Sequence, residues 1–134
     1  MTAPTIDRTA DDLMRFFATG QVPDGLFAPD AFLDLSTPQW RQQADGAEAL
    51  VALRRRLHPA TGTVPRRRVD PTPGGFVVEW EERWTADGQD WYCREMARAE
   101  LAGDAIVGLS VYCTGDWDAA TQSRHAATVP LVRP

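Results

Sequence analysis

Apolar positions recur at a helical period before His58 and Pro59 and at a strand period after them. TADDLMRFFATG places Leu13, Phe16 and Phe17 on one side, with Thr9 as a cap candidate and Gly20 as the stop. GAEALVALRRRLHP repeats the pattern with Leu50, Leu53 and Leu57. Between them, PDGLFAPDAF predicts a short helical turn broken at Pro29. AFLDLS alternates as a strand, and TPQWRQQADG reads as a bend or short strand. The second half predicts four successive strands, VPRRRVD, GFVVEWEERWT, DWYCREMARAEL and AIVGLSVYC, separated by PTPGG, ADGQ and AGD. The tail predicts a helical turn capped by Asp116 and an extended end. Helices followed by antiparallel strands make an α+β domain with helices covering one face of the sheet.

Register gives this pattern faces. With Asp87-Gly88 centring a hairpin, Trp84 opposes Trp91, Glu82 opposes Cys93, Trp80 opposes Glu95, Val78 opposes Ala97 and Phe76 opposes Ala99. A three-residue turn at Ala102-Gly103-Asp104 would set Ala97 opposite Leu109, Glu95 opposite Val111 and Cys93 opposite Cys113. One face then collects Phe76, Val78, Trp80, Trp84, Ala97, Leu109 and Val111. The other collects Glu79, Glu81, Arg83, Arg94 and Arg98, with Glu81 facing Arg94. Two acids, Glu82 and Glu95, break the apolar face. A buried carboxylate is costly, so each pairs, takes up a proton or borders a cavity.

Composition narrows the choices. The 134 residues suit one domain, residues 1–134. A formal net charge of −5 argues against a nucleic-acid partner. The arginine runs at 54–56 and 66–68 read as a solvated helix face and cross-strand ion pairs. No apolar run has the length of a membrane span and the start lacks a signal-peptide core, which predicts a cytoplasmic protein with no membrane partner. Cys93 and Cys113 fall outside any metal-ligand spacing, and no His/Asp/Glu cluster has one, so neither a metal nor a cofactor is expected.

The order of elements, together with GLFAPDAFLDLS, ADGAEALVALRRR and AELAGDAIVGLSVYC, resembles the nuclear transport factor 2-like superfamily over nearly the whole chain. That group includes ketosteroid isomerase, limonene epoxide hydrolase and SnoaL-like polyketide cyclases. The resemblance implies a cone: a curved, mostly antiparallel sheet with N-terminal helices over its concave face and a ligand pocket inside. It also implies a homodimer. The isomerase's catalytic base, its tyrosine and its protonated aspartic acid fall on Leu35, Leu13 and Ala97, so that constellation does not carry over. The match at Ala97 does imply that Glu95 and Glu82 point into the pocket.

Glu95 is therefore either a general acid or base in apolar walls, or a structural carboxylate held by an arginine or an indole N–H. Glu82 is a second acid–base group or a solvated residue at the mouth. His58, at a helix end, caps that end or relays protons. Asp34 points inward only if its strand carries a bulge. Trp40, Trp80, Trp84, Cys93, Val111 and Cys113 are candidate pocket walls for an apolar small-molecule substrate. His125 is expected at the surface, and Tyr112 at a dimer interface. The expected activity is cofactor-free acid–base chemistry on an apolar secondary metabolite: cyclisation, isomerisation, dehydration or epoxide opening. The competing reading is a non-catalytic ligand-binding or dimerisation module of the same fold.

Overall fold

A computed structural model of the chain describes residues 2–134. The elements run α1 (Ala3–Thr19), β1 (Phe27–Thr37), β2 (Trp40–Asp45), α2 (Ala47–Leu57), β3 (Gly62–Thr72), β4 (Gly75–Ala86), β5 (Gln89–Ala102), β6 (Ala105–Cys113) and α3 (Ala119–Thr128). The strands form one curved sheet in the order β2-β1-β6-β5-β4-β3. All pairings are antiparallel except β1 with β6. The α+β class with helices over one sheet face is as the sequence predicts.

Helix α1 begins seven residues before its expected start. Thr2 is the cap, accepting from the Thr5 N–H, and Thr9 lies within the helix, buried. Ile6, Ala10, Leu13 and Phe16 repeat along one side and enter the core, which the acidic Asp11-Asp12 pair on the outer side had obscured. Gly20 ends the helix as expected, its φ of 76° supplying the left-handed conformation of the stop. The predicted helical turn at Pro23–Phe32 does not form. A turn there leads into β1, whose pairing with β6 shifts between Phe27 and Phe32. α1 lies against β3 and β4, and α2 against β1 and β2.

The β4–β5 register is the predicted one at every pair. The β5–β6 register is displaced by two residues: Ala97 opposes Val111, and Glu95 opposes Cys113. A bulge at Glu100/Leu101 and a tighter connection account for this. Because the slip is even, every side chain keeps its predicted face. Phe76, Val78, Trp80, Ala97, Ala99, Leu109 and Val111 are all core residues, joined by Leu13, Phe16, Leu33, Leu50 and Leu53 from the other elements.

The tail forms a full helix, α3, capped by Asp118, which accepts from the Thr121 N–H at 2.8 Å. Asp116 is not the cap. Before the helix, Trp117 exchanges backbone hydrogen bonds with Tyr92 and carries the tail across β5. His125 is half-buried against the Trp117 ring.

Candidate active site

Strand pleating aims Glu82 and Glu95 at the helices, on opposite sides of the β4–β5 pair and displaced by two residues. Both are buried, at 5% and 8% exposure. The mouth position considered for Glu82 is therefore wrong, because the inner face continues past it to Trp84, which is buried against His58. Together they border a cavity of about 340 Å³. Its apolar wall comes from Leu33 and Leu35 of β1, Leu53 of α2, Val111 of β6 and Phe17 of α1. Leu57 and Pro38, both exposed, stand at its outer end.

The Cys93 thiol links the two acids. Its Sγ lies 3.3 Å from Glu95 Oε1 and 3.8 Å from Glu82 Oε2. Burial pushes the Glu95 carboxyl well above the ordinary value of 4.5, and the neighbouring Glu82 raises it further. The Cys113 sulfur beside Cys93, with burial and the two carboxyls, holds Cys93 as a thiol. Cys113 in turn accepts the Gly115 N–H at 3.3 Å. The cysteines are thus polar members of the site, whichever ligand it takes.

His58 is the C-cap of α2 and also borders the cavity, so both roles expected of its position coincide. Its ring packs edge-on against Trp84 at 4.2 Å, and both ring nitrogens are buried without a hydrogen-bond partner. Desolvation draws its pKa below the usual 6.5, which keeps the ring neutral near neutral pH.

Four of the expected residues stand apart from the cavity lining. Asp34 points to the other face of β1, where Arg41 holds it bidentately at 2.6 and 2.9 Å; the bulge in β1 precedes it and does not turn it inward. Trp40 shares the inner parity through its pairing with Thr37, yet it projects from the end of the β1–β2 hairpin at 67% exposure. Trp80 is wholly buried behind Phe17, stacked on it at 4.9 Å. Trp84 backs His58 and stacks on Trp91. These last two support lining residues without themselves lining the cavity.

Two charged lining residues escaped the sequence reading. Arg54 is 8% exposed, although the run it begins was read as a solvated face. It completes the Leu50, Leu53, Arg54 stripe at i, i+3 and i+4, a signal that was present in the spacing. Its guanidinium donates to the carbonyls of Phe17 and His58, while Arg55 donates to the Gly20 carbonyl, so α2 ties down the C-terminus of α1. Asp116 reaches the rim because Gly115, at φ 83°, turns the chain against Pro38 after β6 ends. Partial desolvation raises its carboxyl pKa.

Cys93, Glu95 and Cys113 each place a donor atom within 4.8 Å of the others. Linear spacing missed this trio, since it is assembled across β5 and β6. Two sulfurs and an oxygen suit a thiophilic divalent cation, but Cys93 would have to release its proton to bind one. Without a metal, the same atoms form a hydrogen-bonded acid cluster able to hold, donate and accept protons beside an apolar space.

No family model matches the chain, and no curated protein matches it. Several solved structures do. A nuclear transport factor 2-like protein from Anabaena variabilis aligns with TM-score 0.70 at 16% identity, over 87% of this chain and 96% of that one. A protein of ketosteroid isomerase-like fold from Catenulispora acidiphila, solved with trimethylamine, gives 0.65 at 12% identity, over 91% and 97%. A provisionally assigned polyketide cyclase from Pseudomonas putida gives 0.63 at 17% identity, over 84% and 91%. With the curved sheet and the covering helices, these alignments show that the chain has the nuclear transport factor 2-like fold.

Proposed function

We propose that the chain is an acid–base enzyme acting on an apolar small molecule within this cavity. One observation carries the reading: two buried carboxyls converge on a single cavity whose other walls combine apolar side chains, among them Phe17, Leu33, Leu35, Leu53 and Val111, with polar ones. Glu95, raised by burial, holds a proton and donates it to a substrate oxygen. Glu82, across the β4–β5 pair, takes a proton from the substrate, and His58 exchanges it with solvent. The Cys93 thiol orients Glu95. Cyclisation, isomerisation, dehydration and epoxide opening all need such a donor and acceptor pair, and the likeness to a provisionally assigned cyclase supports this group of reactions. The chain's own carboxyls supply the chemistry, with no cofactor required.

A panel of apolar ketones, β-hydroxy ketones and epoxides, followed by proton exchange and product formation in deuterated solvent, tests the proposal. The native chain should turn over at least one class, and Glu95→Gln should slow it by roughly 100-fold or more. Ligand-induced tryptophan fluorescence changes should persist in that variant. Unchanged turnover in Glu95→Gln would refute the assignment. A chain that binds members of the panel but transforms none would be a binding module, a reading favoured by leucine and alanine at the isomerase's catalytic positions, Leu13, Leu35 and Ala97.

A further inference from the structure

The polar groups around the cavity are mismatched in sign. Glu82 and Glu95 are both more than nine-tenths buried and both border the space. Among the described residues, neither has a cationic or N–H partner; the Cys93 thiol lies within reach of both, and the proton held on Glu95 is shared with Glu82. Asp116 adds a third carboxyl at the rim. Against these stands a single permanent cation, Arg54, and its terminal nitrogens are committed to the carbonyls of Phe17 and His58. His58 is packed on Trp84 and provides no charge. A buried carboxyl pair with a shared proton and no N–H donor is an incomplete arrangement, and low dielectric amplifies both its mutual repulsion and its attraction for a cation.

We propose that the cavity's ligand carries a basic nitrogen: an apolar amine whose ammonium group sits between Glu82 and Glu95 while its hydrocarbon part lies against Leu33, Leu35, Leu53 and Val111. The ammonium donates to the two carboxyls that lack N–H partners, and its charge removes the repulsion between them. A carboxylate or phosphate ligand meets the opposite field and is excluded. The inference goes beyond the acid–base reading: it concerns what the two carboxyls hold, and an amine seated on both occupies the cavity as a ligand that Glu95 does not protonate. An amine also changes the proton inventory on entry: a protonated Glu95 beside an ammonium gives up its proton to solvent, leaving an ion pair.

Isothermal titration with three ligands of matched shape tests this: 1-naphthylmethylamine, 1-naphthalenemethanol and 1-naphthoate. The amine should bind at least about tenfold more tightly than the alcohol, the difference made by one favourable ion pair, and the naphthoate should not bind measurably. Amine binding should release protons near neutral pH, seen as an enthalpy that depends on the buffer's heat of ionisation. Glu82→Gln should abolish the amine's advantage and keep the alcohol's affinity, with circular dichroism confirming the fold; if that variant unfolds, Glu95→Gln should shrink the advantage and eliminate the proton release. Equal binding of amine and alcohol, or preference for naphthoate, would overturn the proposal. So would saturable binding of zinc with none of the amine, which would mark the Cys93, Glu95 and Cys113 trio as a metal centre. Loss of the amine advantage while turnover stays sensitive to Glu95→Gln sinks this inference alone. Retained amine advantage with turnover insensitive to that variant sinks the acid–base reading alone.

Discussion

At the scale of single residues, burial sets the chemistry. Glu95 has a folded-state pKa above its unfolded value. Between the two values the folded chain keeps a proton that the unfolded chain has lost, so stability falls as pH rises from the ordinary 4.5 through the folded midpoint. Each pH unit inside that window costs about 1.4 kcal/mol. Glu95→Gln should therefore match the native chain near pH 4 and become the more stable of the two toward neutral pH, as read from urea midpoints across pH. His58 has the opposite sign: its folded pKa is depressed, so its contribution is complete above 6.5 and is lost as pH falls below that value. Arg54 is a second test at this scale. Removing it strands two part-buried carbonyls, and Arg54→Met should cost roughly 1–3 kcal/mol by urea denaturation. Parity made Glu82 and Glu95 legible in the sequence. Arg54 was hidden by its charge, because a run of arginines resembles a wet surface until the Leu50 and Leu53 spacing is extended by one position.

At the scale of elements, alternation is robust and termini are not. The β4–β5 pairing was legible because Asp87-Gly88 fixes a two-residue turn and the ionic and apolar residues then separate onto opposite faces. The β5–β6 pairing slipped by two, since a bulge leaves no signature in residue types. The parallel contact of β1 with β6 was illegible for a related reason: it joins segments more than seventy-five residues apart with no turn to set the register. Asp34 and Trp40 were misplaced by the same limits, one by facing the outer side of its strand and one by extending beyond the end of its hairpin. Gly75 gives an element-level prediction. At its position in the β4–β5 pair, an added Cβ would run into the Ala99 carbonyl. Gly75→Ala should force the strands apart there and lower the thermal midpoint, whereas Gly74→Ala, in open space one residue earlier, should change it little. Equal effects of the two substitutions would contradict the close approach.

At the scale of the whole molecule, one sheet face is committed to the cavity and the other is open. The open face carries Tyr112 at 64% and Met96 at 45% exposure, directly paired across β5 and β6, and an exposed Phe32 farther along β1, opposite Gly108. Arg94 and Glu79 make an ion pair on the same face, and Glu81 accepts from the Tyr92 hydroxyl instead of pairing with Arg94, its backbone partner. Apolar residues among paired charges suit a self-complementary contact. Light scattering at micromolar concentration should report a dimer that Tyr112→Lys dissociates, while a monomer throughout would remove this expectation. Among the described residues, no helix is long and apolar enough to cross a membrane.

Glu95, beside Glu82 in the cavity, should hold its proton well above the ordinary carboxylate range. Carbon NMR of side-chain-labelled glutamate, titrated from acid to base and assigned with Glu95→Gln, measures this directly. One resonance should titrate far above 4.5, should vanish in Glu95→Gln, and should move toward lower pH in Glu82→Gln, where the neighbouring charge is gone. A Glu95 resonance that titrates in the ordinary carboxylate range would contradict it.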